Sequence, residues 1–78
     1  MSDAIVRWTL WHDGRTLTCT EHRAPGGLDV QVTYDSLPLA SQHCDRLEDA
    51  LRWSELIRRR WEATGWRALE ATHQPEAA

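Results

Sequence analysis

Five side chains of the kinds that bind soft metal ions are spread along the 78-residue chain. These side chains are His12, Cys19, His22, His43 and Cys44. A zinc site needs several such groups converging on one point, and known ligand sets recur at characteristic spacings. The spacing here matches none of those patterns, and neighbours such as His43 and Cys44 point to opposite faces of a strand. The sequence therefore predicts neither a metal site nor a cofactor.

Cys44 is the residue best placed for nucleophilic catalysis, because it precedes a predicted helix start where the dipole can lower a thiol pKa. A thiolate also needs a neighbouring base, and the sequence places none beside it. His43 is adjacent in number but not in direction. Cys19 lies among apolar strand residues and is predicted to be a core thiol. We therefore expect a protein that is not an enzyme.

Charge restricts the class of partner. The formal net charge is −3, and neither half of the chain has an excess of Arg, which argues against a strong phosphate-binding surface. The run Arg58-Arg59-Arg60 is flanked by Glu55 and Glu62, which is typical of a solvated helix face. The sequence contains no apolar run long enough to span a membrane and no signal-peptide core. With reduced thiols, we expect a cytoplasmic protein without a membrane partner.

The elements that position these residues begin with a hairpin. Residues 5–12 and 15–23 alternate in polarity around Asp13-Gly14, a pair that favours a type I′ turn. A turn at residues 24–27 leads to a third strand over 28–34, and a weak fourth strand is predicted over 37–44. Pro38 lacks an N–H donor, so this last strand should lie at a sheet edge or be irregular.

Pairing across these turns sorts most apolar side chains to one face of the sheet. This inner face contains Val6, Trp8, Leu10, Leu17, Cys19, Val30, Val32 and Tyr34. In the predicted register Glu21 lies opposite Val6 on the same face, where a carboxylate does not belong. Arg7 lies opposite Thr20 on the other face.

A single helix is predicted over residues 46–64, because apolar residues recur there at helical spacing. Asp45 and Glu48 form a candidate capping box at its start. Gly65 and Trp66 form a candidate Schellman motif at its end. The fold class is therefore α+β: an antiparallel meander of three to four strands and one C-terminal helix, in one domain over 5–66. Residues 1–4 are expected to be flexible, and residues 67–78 a frayed tail.

The sheet face away from the helix is the candidate binding surface. It contains Arg7, Thr9, Trp11, Thr16, Thr18, Thr20, Gln31 and Thr33. Such a face is compatible with ordinary solvated sheet, with a protein interface or with a single-strand platform on which Trp11 stacks a base. The net charge of −3 disfavours the nucleic-acid interpretation.

Four segments carry a resemblance to known proteins: Trp8-x-Leu10-x-x-Asp13-Gly14-Arg15, Val30-x-Val32-x-Tyr34-Asp35, Glu48-Asp49-Ala50-Leu51-x-Trp53 and Trp61-x-x-x-Gly65-Trp66. Over residues 6–66 the chain resembles short uncharacterised bacterial proteins with a sheet followed by a helix. That family has no assigned activity, so the resemblance implies only a fold. The order of elements is also similar to that of single-strand-binding transcriptional coactivators, which dimerise, but no binding residue carries over.

A chain of 78 residues allows one domain with a thin core that is often completed by a partner. We therefore expect a small non-enzymatic interaction module that binds itself as a homodimer or binds another protein. The alternative is a weak single-stranded nucleic-acid binder that uses the outer sheet face.

Overall fold

A computed structural model describes residues 4–68 of the chain. The elements are β1 (Ile5–His12), β2 (Arg15–Ala24), β3 (Gly27–Tyr34), β4 (Leu37–Cys44), α1 (Leu47–Glu62) and β5 (Arg67–Ala68). The strands form one antiparallel sheet in the order β4-β3-β2-β1-β5, and α1 packs on one of its faces. This architecture confirms the predicted α+β meander followed by a single helix. No helix within residues 4–68 is long and apolar enough to cross a membrane.

The turns follow from residues that tolerate positive φ. Asp13 and Gly14 have φ of 54° and 79°, which gives the predicted type I′ hairpin. Asp35 and Ser36 have φ of 49° and 74° and connect β3 to β4 in the same way. Between β2 and β3, Gly26 has φ of 80°, as a type II turn with proline before glycine requires. Because these turns fix the register, β2 and β3 pair as predicted along their whole length.

The register of β1 differs from the prediction at its N-terminal end. Trp8 pairs with Cys19 as expected, but Val6 pairs with Thr20 because Arg7 is an extra residue in a β-bulge. Val6 therefore leaves the inner face and is exposed. The predicted pairing of Arg7 with Thr20 was wrong for the same reason.

The core lies between α1 and the inner face of the sheet. Its buried apolar residues are Leu10, Leu17, Cys19, Val30, Val32, Cys44, Ala50 and Trp66, and Trp8, Leu28, Tyr34, Trp53, Ile57 and Trp61 pack around them. Apart from Val6, the inner face is as the sequence predicts. Glu21 is buried within it at 2% exposure.

The end of α1 is a Schellman motif, as predicted. The Trp66 N–H donates to the Trp61 carbonyl at 3.4 Å, and the Gly65 N–H donates to the Glu62 carbonyl at 3.1 Å. Gly65 has φ of 107°, which a side chain would strain. The turn folds Trp66 back, so that its ring packs edge-on against the Trp61 ring at 5.5 Å. Trp66 thereby closes one end of the core.

The predicted capping box at the start of α1 was wrong. The helix begins at Leu47, so the N-cap is Arg46, whose side chain makes no capping hydrogen bond. Asp45 consequently lies one residue too early to accept an N–H group of the first turn. Arg46 pairs instead with Glu48 at 3.1 Å.

The chain after the helix contains a strand that the sequence did not predict. Residues 67–78 were expected to be a frayed tail, yet Arg67 and Ala68 form β5 and pair with Trp11 and Leu10 of β1. A segment of two residues is too short to show alternating polarity, so the sequence could not predict this strand. The remaining tail, residues 69–78, and residues 1–3 of the predicted flexible N-terminus lie outside the described residues.

Replacing Gly27 with alanine is expected to destabilise the domain, because a β-carbon there would lie 2.1 Å from the Cys44 carbonyl oxygen. Gly26→Ala is the matched control, since its φ is also positive but its β-carbon would meet open space. We expect Gly27→Ala to lower the free energy of unfolding by at least about 1 kcal/mol more than Gly26→Ala in urea titrations followed by Trp fluorescence. Equal losses would contradict this packing.

Candidate interaction surfaces

The outer face of the sheet is built from rows of residues that pair across neighbouring strands. Thr18 pairs with Thr33, and Thr20 pairs with Gln31. The Thr33 hydroxyl donates to the Thr18 carbonyl at 3.5 Å. Thr9 and Thr16 lie in the same layer beside Trp11, which is 45% exposed. The structure thus brings seven of the eight candidate residues onto one partly exposed, uncharged surface.

Arg7, the eighth candidate, does not belong to that surface. The β-bulge turns its side chain toward the inner face, where Nη2 donates to Glu21 Oε1 at 2.7 Å. This hydrogen bond raises the pKa of Arg7. The outer face therefore loses the only cation among its candidate residues. The loss of Arg7 from this face weakens the case for phosphate binding there.

The Arg7–Glu21 pair also accounts for the misplaced carboxylate. The inner-face position of Glu21 is buried, and Arg7 supplies the charge that such a position demands. Glu21 Oε2, however, is buried without a hydrogen-bond partner among residues 4–68. The sequence singled out Glu21, but it could not indicate the partner, because a bulge leaves no clear mark in the residue pattern.

A second polar row on the outer face contains two histidines around a carboxylate. His22 pairs with Asp29 across β2 and β3, and Asp29 pairs with His43 across β3 and β4. His43 Nδ1 lies 2.7 Å from Asp29 Oδ1, and Nε2 lies 3.7 Å from Asp45. Among residues 4–68, no three His, Cys, Asp or Glu side chains are arranged to hold a metal ion.

Strand β4 forms the edge of the sheet, as Pro38 predicts. Seven of its eight residues are exposed, including Leu37 at 67% and Leu39 at 48%. A second β-bulge, at Leu39, separates the pairing of Pro38 and Leu37 from the regular pairing of Ala40–Cys44. The strand contains no Asp, Glu, Lys or Arg. In the part of the chain that the structure describes, no strand pairs with its outer side.

Two grooves separate β4 from α1. One, of about 390 Å³, lies over Leu39 and Ala40 and is walled by Ile57, Arg60 and Trp61. The other, of about 380 Å³, lies near Cys44 and is bordered by Asp45, Asp49 and Leu56 among others. Leu56 is 60% exposed. Leu56 is one of the apolar residues whose helical spacing predicts α1, but the groove could not be predicted, because the placement of α1 across the sheet is a tertiary property.

The basic run on α1 is largely neutralised within the helix. Arg58 pairs with Glu55 and Glu62, and Arg59 pairs with Glu55. These pairs agree with the predicted solvated helix face. Arg60 differs, since it borders the Leu39 groove and makes no ion pair with any described residue.

The two thiols are buried. Cys19 is fully buried, as predicted for a core thiol, and burial raises its pKa to about 12. Cys44 is 7% exposed, and its pKa is raised first by burial and then by Asp49 and Asp45. The raised pKa opposes the thiolate that a nucleophilic role for Cys44 would need.

No family model matches the chain, and neither the curated proteins nor the solved structures contain a match. The resemblance to uncharacterised bacterial sheet-plus-helix proteins therefore stays a prediction.

Replacing Arg7 with methionine is expected to lower the free energy of unfolding by roughly 3 kcal/mol, because it leaves the buried Glu21 carboxylate without its counterion. Arg46→Met is the control, since its pair with Glu48 is exposed and worth less than about 1 kcal/mol. Urea denaturation of both variants measures the difference. A loss for Arg7→Met no larger than that for Arg46→Met would show that the bulge and its ion pair are not formed.

Both thiols are expected to react slowly with Ellman's reagent at pH 8 in the native protein. A pKa of about 12 at Cys19 leaves on the order of one molecule in ten thousand ionised at that pH. In urea, where burial is lost, both should react at the rate of free cysteine. A native thiol that reacts as fast as free cysteine would contradict the burial of Cys19 or Cys44.

Proposed function

We propose that this chain is a non-enzymatic interaction module that forms a homodimer by pairing β4 with β4 of a second copy. The observation that carries the proposal is the uncharged, exposed edge strand with Leu37 and Leu39 on it. An open edge of this kind is a template for another strand, and monomeric proteins usually protect it with charge. Here Pro38 and the Leu39 bulge interrupt only one end, so Ala40–Cys44 remains regular.

The other edge of the sheet is a poorer template. β1 is already paired with β5 at Leu10 and Trp11, and the bulge at Arg7 interrupts its remaining length. Bulges and charges are the features that prevent edge-to-edge pairing. The comparison of the two edges therefore favours β4.

Charge complementarity supports a second copy of the chain as the partner that pairs with β4. Antiparallel pairing about a two-fold axis centred on Gln42 sets Ala40 opposite the partner's Cys44. Arg60 lies beside the Leu39 end and forms no ion pair within the described range 4–68, and it is then on the side of the partner's Asp45. Because the axis is perpendicular to the sheet, both helices lie on the same face, and each Leu56 points into the space between them. Both grooves would be covered from the partner side.

Leu39→Glu is expected to raise the dimer dissociation constant at least tenfold, because it places a carboxylate in the apolar groove of each copy. Leu51→Glu is the matched control, since Leu51 is an exposed helix leucine that lines neither groove beside β4. Sedimentation equilibrium measures both constants. The wild type and Leu51→Glu should approach twice the 9.0 kDa chain mass at micromolar concentration.

Charge reversal identifies the orientation of the two copies. Arg60→Glu and Asp45→Arg should each weaken the dimer, and the double variant should recover most of the loss. A strictly monomeric wild type, or a dimer that tolerates Leu39→Glu, would overturn the proposal.

The alternative, a single-stranded nucleic-acid binder, rests on the exposed Trp11 in the threonine-rich outer face. Base stacking on such a residue is favourable, but nucleic-acid binding is dominated by contacts to phosphate. With Arg7 bound to Glu21, the guanidinium beside Trp11 is that of Arg67, its partner across β1 and β5, and the net charge of −3 opposes binding to phosphate. The geometry therefore supports the protein interface better.

A cytoplasmic location is part of the same proposal. Cys19 and Cys44 are both free thiols in the structure, and both are buried against the helix side of the sheet. Reduced cysteines of this kind are usual in reducing compartments.

A further inference from the structure

A cavity of about 740 Å³ opens at the corner of the sheet where β1 begins and β2 ends. We call it the corner cavity and define it by six of its lining residues: Ile5, Arg7, Glu21, Arg23, Leu28 and Leu47. It lies on the helix side of the sheet, beyond the first residue of α1. Its lining includes no residue of β4 and none of the residues that line the two grooves beside β4.

The corner cavity is lined by a polar group that no residue in the range 4–68 satisfies. Glu21 is 2% exposed, and its Oε1 accepts the hydrogen bond from Arg7. Its Oε2 is buried and accepts no hydrogen bond from any residue that the structure describes. A buried acceptor without a donor is costly, so such groups commonly mark a place where a further partner binds. Since Glu21 lines the cavity, a donor can approach from that side.

A cation lies next to this acceptor. Arg23 is two residues after Glu21 on β2, so both side chains are on the same face, roughly 6.6 Å apart along the strand. Arg23 is exposed, and it forms no ion pair with any residue in the range 4–68. Arg7 already donates to Glu21, so Arg23 is the guanidinium in the cavity lining whose N–H groups can bind a ligand.

The remaining walls are apolar. Ile5 pairs with Glu21 across β1 and β2, and Leu28 pairs with Arg23 across β2 and β3, so each flanks one of the polar groups. Leu47 closes the cavity from the start of α1 and is half-exposed there. An exposed leucine and an exposed isoleucine facing one cavity favour a ligand with an apolar side chain.

We propose that the corner cavity binds an apolar α-amino acid in its zwitterionic form. The ammonium donates to Glu21 Oε2 after a small rotation about the terminal torsion of that side chain, which has a broad minimum. The carboxylate accepts from Arg23, and the side chain packs against Ile5, Leu28 and Leu47. A simple amine would leave Arg23 unused, and a simple carboxylic acid would leave Glu21 Oε2 unsatisfied. A ligand with both groups on one carbon satisfies both.

The test titrates the ¹⁵N-labelled full-length chain with L-leucine and with L-phenylalanine and follows its amides in ¹H–¹⁵N correlation NMR spectra. We expect saturable shifts of the amides between Glu21 and Leu28. Two analogues of leucine each lack one charged group: 4-methylpentanoate has no ammonium, and 3-methylbutylamine has no carboxylate. Each should bind at least tenfold more weakly than leucine, because each satisfies only one of the two protein groups.

Variants separate the site from general effects on the fold. Arg23→Gln and Glu21→Gln should each weaken leucine binding at least tenfold, and Arg46→Gln, a nearby exposed arginine outside the cavity, should leave it unchanged. If Glu21→Gln does not fold, the exposed Arg23→Gln variant and the analogue series decide the question. The proposal is overturned if neither amino acid gives saturable shifts, if an analogue binds as well as leucine, or if Arg23→Gln binds normally.

Discussion

One helix has to cover the inner face of a five-stranded sheet, and it is too narrow to do so. A helix with its side chains is about 10 Å wide, whereas four strand spacings of about 4.8 Å make the sheet roughly 19 Å wide. The helix covers the middle of the sheet, where the fully buried Leu10, Leu17, Val30 and Val32 lie. The β4 grooves lie beside the helix, and the corner cavity lies beyond its first residue, so both proposed binding sites lie where the helix leaves the sheet uncovered.

The large side chain of Trp66 fills the space between the C-terminal end of the helix and the sheet. The Schellman turn at Gly65 brings Trp66 back against Trp61, His12 and Tyr34, with ring centroids 5.4–5.9 Å apart. β5 then pairs with β1 immediately after it. The same turn therefore closes the core and covers part of an edge. The Leu39 end of β4 receives no such cover.

Local chemistry explains why much of this fold could be predicted from the sequence. Asp13-Gly14 and Pro25-Gly26 fix two turns, and each turn fixes the register of the pair of strands that it joins. Because a register shift of one residue would move every side chain of a strand to the opposite face, a correct turn places the whole strand correctly. The bulge at Arg7 could not be predicted, because a single extra residue in a strand leaves no clear mark in the residue pattern. The capping box failed because two adjacent residues, Asp45 and Arg46, could each precede the helix. Of the candidate site, the threonine face was predicted, but the exposure of β4 depends on where α1 lies.

The most direct measurement of the β4 interface is an isotope-filtered NOE experiment on a mixture of labelled and unlabelled chains. If β4 pairs with its copy about Gln42, intermolecular contacts will join backbone protons of Ala40 and Cys44 across the axis. The outer-face threonines will show none. Intermolecular contacts at Thr18 or Trp11 with none along β4 would contradict pairing through this edge, and would assign the interface to the outer face.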